Sequence, residues 1–202
     1  MPEPTISLPD PQPVFTTERL IMRPFSVDDG PRVRDLANDR DIAVFTLELP
    51  HPYMEGMAEE WIAEHREQYE NGDNIVYAVV LAEPGELVGS VSLKLNRRHE
   101  RGELGYWIGK DFWGRGYATE ACRELIRFGF ETVGLNRIGA FHFTRNPASG
   151  RVMEKAGMRF EGTLRQAVRK WGCFEDVNLY AVLRADFERE AMRGRGRVGL
   201  TE

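Results

Sequence analysis

The stretch from Glu103 to Glu131 changes abruptly from a strand pattern to a helix pattern, and this change constrains the fold more than any other feature of the chain. ELGYWIG (Glu103–Gly109) has the composition of a β-strand. From Tyr117 onward, apolar residues recur every three or four positions, which predicts an amphipathic helix to about Glu131. LNRIGAFHF (Leu135–Phe143) then predicts another strand. Such a strand–helix–strand succession is typical of a right-handed crossover between parallel strands.

The segments on either side of this crossover predict one α/β domain on a mixed sheet. NIVYAVVLA (Asn74–Ala82) and LVGSVSLKL (Leu87–Leu95) precede Glu103–Gly109 and predict an antiparallel meander of three strands. NPASGRVMEKAG (Asn146–Gly157) predicts a helix, because it opens with an N-cap residue and a proline and ends on a glycine. The other predicted elements are a first strand over Glu18–Phe25, a helix ending near Asn38, a helix over about Glu55–Tyr69 and two closing strands.

Composition and charge limit the classes of protein to consider. The 202 residues carry a net charge of −5, which argues against general nucleic-acid binding because such proteins are usually basic. No apolar run approaches the roughly 20 residues of a membrane-spanning helix. Two cysteines, and four histidines without metal-ligand spacing, predict neither disulfides nor a metal site. We expect a cytoplasmic protein with a flexible tail over residues 1–16, a folded domain over 17–188 and a flexible tail over 189–202.

Two glycines lie at the start of the predicted helix, where glycine normally weakens helical structure. In FWGRGYATEA, Gly114 and Gly116 stand between the strand and the helix. The first turn of a helix leaves backbone amides unpaired and carries about half a positive charge, so anions bind there. Glycines allow a phosphate to approach these amides, and Arg115 adds a cation. The spacing fits neither the dinucleotide fingerprint nor a P-loop, and by itself it suits a plain tight turn equally well.

The wider context resembles a known family. ELGYWIG, FWGRGYATEA and NPASGRVMEKAGM are similar, in that order, to motifs of the GNAT superfamily of acyl-CoA-dependent N-acetyltransferases, and the resemblance covers about Thr17–Phe187. The most similar branch includes ribosomal-protein N-terminal acetyltransferases of the RimJ/RimL type. The resemblance implies a single-domain GNAT fold, with a mixed, mostly antiparallel sheet of about seven strands, a central splay and about four helices. It also implies transfer of an acetyl group from acetyl-CoA to a primary amine.

The resemblance further implies which residues hold acetyl-CoA. The superfamily's phosphate motif aligns with Trp113–Ala118, although Trp113 departs from the usual glutamine or arginine. Amides of this segment should hold the pyrophosphate, Asn146 the pantetheine arm, and strand residues Leu104–Ile108 the acyl end. The complete set of expected cofactor-binding residues is Trp107, Ile108, Trp113, Gly114, Arg115, Gly116, Tyr117, Ala118, Asn146, Ser149 and Arg151. No metal is expected to take part.

The same resemblance indicates two candidate catalytic residues. GNAT enzymes often carry a base on the strand before the phosphate loop, where Glu103 stands here, although a solvated acid at a strand start would look the same. Glu120 is an alternative acid on the helix. Many relatives protonate the leaving thiolate with a tyrosine on the helix after the asparagine, but here Ser149 stands near that place and no tyrosine follows until Tyr180. The alternative for Ser149 is an ordinary first-turn serine. Since Cys122 falls on the apolar helix face, we expect direct transfer in a ternary complex.

The acceptor amine is less constrained by the sequence. An α-amine, with a pKa of about 7.7–8.0, is partly neutral near neutral pH, whereas a lysine amine at about 10.4 needs a real base. Glu103 is therefore less essential as a base if the acceptor is an α-amine. The RimJ/RimL-type resemblance implies a protein N-terminus as the acceptor, with a small cationic amine or a non-catalytic acyl-CoA-binding module as alternatives. A homodimer would pair through the last strands. The acceptor site should be built by the first two helices and the last two strands, where four aromatic residues are pocket walls or core: Tyr53, Trp61, Trp171 and Phe174.

Overall fold

A computed structural model describes residues 8–196, apart from the side chains of residues 191 and 193–196. Eight strands form one mixed sheet in the order β1-β2-β3-β4-β5-β6-β8-β7. The strands are β1 (Phe15–Thr16), β2 (Leu20–Arg23), β3 (Asn74–Leu81), β4 (Leu87–Asn96), β5 (Arg101–Ile108), β6 (Arg137–Phe143), β7 (Arg159–Lys170) and β8 (Cys173–Leu183). The α-helices are α1 (Gly30–Ala37), α2 (Arg40–Ala43), α3 (Met57–Ala63), α4 (His65–Asn71), α5 (Tyr117–Glu131), α6 (Pro147–Lys155) and α7 (Arg184–Gly196). None of these helices is long and apolar enough to cross a bilayer.

The predicted crossover is confirmed, and α5 has the bounds expected from its periodicity. Its apolar stripe is buried against the sheet, with Leu125 and Ile126 at most 2% exposed. Gly129 allows the helix to lie close, because a Cβ there would stand 2.7 Å from Ile138 Cδ1. The helix therefore connects β5 to the parallel strand β6 across one face of the sheet.

The central splay is also confirmed, and it lies between these two parallel strands. β5 and β6 pair only at Arg101, Gly102 and Glu103, whose partner on β6 is Gly139. Beyond Glu103, β5 continues to pair with β4 as far as Ile108. β6 meanwhile pairs with β8 as far as Phe143. A wedge-shaped gap therefore opens in the middle of the sheet, with Glu103 at its apex.

The N-terminal part contains more and shorter helices than the sequence predicts. The expected helix over Glu55–Tyr69 is two helices, α3 and α4, which meet at Glu64. The short helix α2 was not predicted, although Asp39 caps it by accepting from the Asp41 amide. Ser26 and Asp29 form a capping box before α1, since they exchange side-chain-to-backbone hydrogen bonds. Short elements of this kind carry too few residues for periodicity to mark them.

The chain ends also differ from the expectation of loose tails. Residues 8–16 lie against the domain, where the Phe15 ring packs 5.3 Å from Tyr77 and 5.1 Å from Phe128. The Tyr69 hydroxyl donates to the Pro9 carbonyl. At the other end α7 extends to Gly196, so the segment predicted as a tail from residue 189 begins within a helix. Residues 1–7 and 197–202 lie outside the described part of the chain.

Candidate active site

A cavity of about 400 Å³ lies at the splay. Its floor is one face of β3, β4 and β5, where Asn74, Lys94 and Glu103 stand opposite one another in register. Phe141 and His142 of β6 and Ser149 of α6 border it on the other side. The segment Phe45–Pro50, which follows α2, closes its mouth. The cavity thus contains the gap in which an extended ligand would replace the missing β5–β6 pairing.

Alternation along β5 decides which backbone groups face this gap. The Gly109 amide donates to Val88 of β4 at 2.8 Å, whereas the Glu100 carbonyl accepts from Asn136 on the β6 side at 2.7 Å. Because successive residues of a strand point their polar groups in opposite directions, the groups of Leu104, Tyr106 and Ile108 face the gap. Trp107 lines the cavity with its side chain instead.

The glycine loop before α5 has the conformation that an amide cradle requires. Gly114 and Gly116 have φ angles of +75° and +85°, which favour glycine, and an added Cβ on Gly114 would meet nothing within 4 Å. Within residues 8–196, the amides of Gly114–Gly116 have no acceptor. The Trp113 amide, by contrast, donates to the Lys110 carbonyl at 3.1 Å, so the run of amides without an acceptor begins at Gly114. The Trp113 indole instead donates to the Ile108 carbonyl at 2.6 Å.

Arg19 of the β1–β2 turn holds this loop in place, and the sequence analysis missed it. Its guanidinium donates to the Arg115 carbonyl at 2.8 Å and to Glu120 at 2.8 Å, and it lies 5.0 Å from the Tyr117 ring centroid. Glu120 also accepts from the Thr17 hydroxyl at 2.7 Å. These hydrogen bonds hold the pKa of Glu120 below its usual range, although desolvation opposes them. Glu120 is therefore an anchor, and it is not free to act as a base.

Ser149 is coupled to a second hydroxyl. The Tyr106 phenol lies 2.7 Å from Ser149 Oγ and donates to the Ser149 carbonyl at 3.0 Å. Burial raises the pKa of Tyr106 far above its usual value, so it remains a neutral donor. Asn146 caps α6, accepting from the Ser149 amide at 3.3 Å. In ELGYWIG, side chains alternate between the two faces of the sheet, so Tyr106 lies on the face opposite Glu103. This alternation is the signal in the sequence that could have pointed to Tyr106.

The family model described as an acetyltransferase (GNAT) domain matches residues 19–159. The chain belongs to the GNAT acetyltransferase family. This GNAT protein is 30% identical over 174 residues to the uncharacterized N-acetyltransferase YoaA of Bacillus subtilis, covering 85% of this chain and 97% of YoaA. It is 34% identical over 139 residues to the putative ribosomal N-acetyltransferase YdaF of the same organism, covering 68% and 73% of the two chains. A GNAT-family acetyltransferase from Bacillus anthracis superposes with a TM-score of 0.76 at 27% identity, covering 85% of this chain and 99% of that one.

The protein is thus an acetyltransferase that uses acetyl-CoA, and Glu103 stands at the apex of its splay. The carboxylate is exposed and forms no salt bridge or hydrogen bond with another residue in the range 8–196. Its register partner Gly139 has no side chain, which leaves space beside the carboxylate. Glu48, at the mouth, is the other acid that borders this cavity.

The remaining predicted residues divide between the cavity and other places. Cys122 is fully buried, and desolvation raises the pKa of its thiol, in agreement with its predicted place in the core. Arg151 is exposed on α6 and stays a prediction for acetyl-CoA binding, as do exposed Arg115 and half-buried Ala118. Of the four aromatic residues expected near the acceptor, two line the cavity, Tyr53 and Trp61, and two are exposed on the β7–β8 hairpin, Trp171 and Phe174.

Two cationic side chains fasten the segment that closes the cavity. The Lys170 ammonium donates to the carbonyls of Leu47 and Leu49 at 3.0 and 2.8 Å, although the residue is only 6% exposed. Arg145 donates to the Val44 carbonyl at 2.7 Å and pairs with Glu175 at 3.0 Å. The segment that borders the cavity is thereby tied to β7 and β8, and the acceptor site expected from the last two strands stays a prediction.

Proposed function

We propose that this protein transfers an acetyl group from acetyl-CoA to the α-amine of a protein N-terminus, directly in a ternary complex. The observation that carries the proposal is the exposed acid Glu103 at the apex of the splay. Because Glu120 is hydrogen-bonded by Arg19 and Thr17, Glu103 is the carboxylate beside the gap that is free to accept a proton. An exposed acid suits an acceptor that already has a neutral fraction at neutral pH, as an α-amine does, better than it suits a lysine amine. The name of the relative YdaF, which refers to ribosomal N-acetylation, points the same way.

Acetyl-CoA fits the geometry of the site. Its pyrophosphate would accept from the amides of Gly114–Gly116 and the first turn of α5, close to Arg115. Its pantetheine arm would enter the gap, where the polar backbone groups of Leu104 and Tyr106 replace those of a paired strand. One of these amides would donate to the thioester oxygen as negative charge develops there. Asn146 precedes α6, and its amide nitrogen would be available to the arm because its oxygen caps the helix.

The transfer needs one bond formed and one broken. The lone pair of the neutral amine forms the new C–N bond to the thioester carbon, and the C–S bond breaks with its electron pair going to sulfur. The acetylated nitrogen then loses one proton, to Glu103 or to water at the exposed apex. The thiolate is stabilised by a hydrogen bond from the Ser149 hydroxyl, which Tyr106 holds in place, and it gains one proton from water, so that the proton released by the amine is balanced. Holding both reactants in the gap lowers the barrier further.

A small cationic amine is the second candidate acceptor. Glu48 and Glu103 both border the cavity, and two carboxylates would attract a cation. A non-catalytic module that only binds acyl-CoA would share the cradle but would show no turnover. The cytoplasmic location and the homodimer expected from the sequence stay predictions.

The first experiment titrates acetyl-CoA into the protein by calorimetry, with CoA and NAD as comparisons. Gly116→Glu should reduce acetyl-CoA binding at least about 100-fold, because it places a carboxylate where the phosphates would lie and a side chain on a residue with φ of +85°. Gly85→Glu is the matched control, since Gly85 has a φ of +88° and open space around it, but lies in the β3–β4 turn. Equal binding by both folded variants would exclude the cradle.

The second experiment identifies the acceptor by measuring release of the CoA thiol. Peptides with a free α-amine are compared with the same peptides N-acetylated but carrying a lysine, and with spermidine. Higher kcat/KM for the free α-amine supports the proposal. Preference for spermidine or for the lysine side chain would overturn it, and acetyl-CoA binding without turnover on any amine would favour the binding module.

A further inference from the structure

A second concavity of about 400 Å³ continues from Glu103 across the sheet, on the side of the apex away from the mouth segment. All the residues that line it belong to β4, β5, β6 and β8, and three of them, Lys94, Glu103 and Phe141, also line the first cavity. The two concavities therefore form one trough with Glu103 in the middle. The first concavity contains the gap for the acyl arm, so the second is the place where the body of an acceptor would extend away from its amine.

The charges along this second concavity are mainly positive. Lys94 stands directly opposite Glu103 on β4, and Arg101 precedes Glu103 by two positions on β5. Both are exposed, and within residues 8–196 neither forms a salt bridge. Arg137, next to them on β6, is instead paired with Glu161. Two unpaired cations thus flank the proposed amine site on the face of the sheet where the acceptor would lie.

The floor between these cations is open and partly apolar. Gly139 provides no side chain at the position beside Glu103, and Phe141 and Leu179 are only partly buried. An extended polypeptide advances about 3.3 Å per residue, and Arg101 lies about 7 Å along the strand from Glu103. A chain whose amine is at Glu103 would therefore bring its second or third residue to Lys94 and Arg101.

From this arrangement we propose that the acceptor is a polypeptide with an acidic side chain at its second or third position. The inference rests on the proposed function, and it specifies the acceptor of that same site. A polycation such as a polyamine is disfavoured, because its second charge would meet Lys94 or Arg101. Lys94 would also act on the reaction, since a cation close to the bound ammonium favours its deprotonation.

The test compares hexapeptides that share the same first residue and differ at positions two and three, which are Asp-Glu, Ala-Ala or Lys-Lys. Thiol release is measured at saturating acetyl-CoA with the full chain. We expect kcat/KM to fall in the order acidic, neutral, basic, with about a tenfold or larger range at low salt that shrinks towards unity in about 0.5 M salt. Free aspartate and spermidine are assayed as further acceptors, one to represent a lone carboxylate and the other a polycation.

Charge reversal tests whether Lys94 and Arg101 are responsible. The double variant Lys94→Glu, Arg101→Glu should invert the order, so that the Lys-Lys peptide becomes the better substrate. Arg66→Glu is the matched control for charge, because Arg66 is exposed on α4 and lines neither concavity. It should leave the order unchanged.

Binding provides a readout that does not depend on turnover. Peptides labelled at the C-terminus are titrated into the CoA-saturated protein and followed by fluorescence anisotropy. The acidic peptide should bind most tightly, and the double variant should lose this preference. Acetylation of all peptides at similar rates and with similar affinities would overturn the acidic specificity while leaving N-terminal acetylation intact. Absence of acetylation with the acidic binding preference retained would overturn the proposed function and leave the trough assignment standing.

Discussion

Tyr106 shows how much of the candidate site depends on one side chain. It lies on β5 between Glu103 and the glycine loop, and its hydroxyl is 2.7 Å from that of Ser149 on α6. A serine alone is a poor proton donor to a thiolate, because its own pKa is too high. A buried, neutral phenol hydrogen-bonded to that serine stabilises the charge that would develop during such a transfer.

Tyr106→Phe is expected to lower kcat about tenfold with less than about a twofold change in KM for acetyl-CoA, since the hydroxyl acts in the transfer rather than in binding. Ser149→Ala should lower kcat by at least as much. In the double variant, kcat should fall by less than the product of the two single factors, because the two hydroxyls act together. Steady-state kinetics over pH 6–9 provide the measurement. Tyr69→Phe is the control, because its hydroxyl donates to the Pro9 carbonyl and the residue lines neither concavity. A Tyr106→Phe enzyme with unchanged kcat would remove Tyr106 from the mechanism.

At the scale of elements, the phosphate loop depends on a strand far away in the chain. Arg19 precedes β2 by one residue and reaches the Arg115 carbonyl and Glu120 on α5. These contacts connect the loop to the start of β2, which is held in the sheet by its pairing with β3. The cradle is therefore preorganised by an element that contributes no group to the amides themselves.

Arg19→Met should weaken acetyl-CoA binding about five- to tenfold, because the loop loses its anchor and the phosphates lose a nearby cation. The KM of the acceptor should change little. Calorimetry with acetyl-CoA gives the first quantity and steady-state kinetics the second. Arg23→Met, on the same part of the chain, removes the same charge but breaks only local contacts, the pair with Asp29 and a hydrogen bond to the Pro24 carbonyl. Similar losses of acetyl-CoA affinity in both variants would show a general effect of charge or stability.

At the scale of the whole molecule, one buried histidine links folding to acidity. His65 of α4 is 8% exposed, packs against Trp61 with ring centroids 4.3 Å apart, and both its ring nitrogens lack a partner among the described residues. Desolvation lowers its pKa to about 4. Because the unfolded chain then binds the proton first, stability is complete above about pH 6.5 and falls as the pH decreases towards 4.

The wild-type free energy of unfolding should therefore decrease by roughly 3 kcal/mol more between pH 7 and pH 4 than that of His65→Gln, which cannot titrate. Urea unfolding at several pH values measures this difference, and carboxylates that titrate in the same range contribute equally to both proteins. His99→Gln, at an exposed turn residue, should keep the wild-type pH dependence. Parallel curves for wild type and His65→Gln would show that His65 takes up its proton without unfolding.

Local sequence patterns determined much of the secondary structure of this protein. The periodicity from Tyr117 to Glu131, the caps of α6 and the β-branched strands of the meander are properties of short windows, and each appears in the structure where the sequence predicts it. The glycines Gly114 and Gly116 are also a local signal, because a positive φ at a strand-to-helix junction favours glycine.

Only the tertiary structure determined which residues distant in the sequence lie next to each other. Tyr106 meets Ser149 across 43 residues and Arg19 meets Glu120 across 101 residues, and no local periodicity encodes contacts of such separation. The trough with Lys94, Arg101 and Glu103 likewise depends on strand register, since a one-residue shift would turn every side chain to the other face. The point at which β5 and β6 separate, after Glu103 and Gly139, is likewise visible only in the structure, because it depends on how two segments distant in the sequence pair.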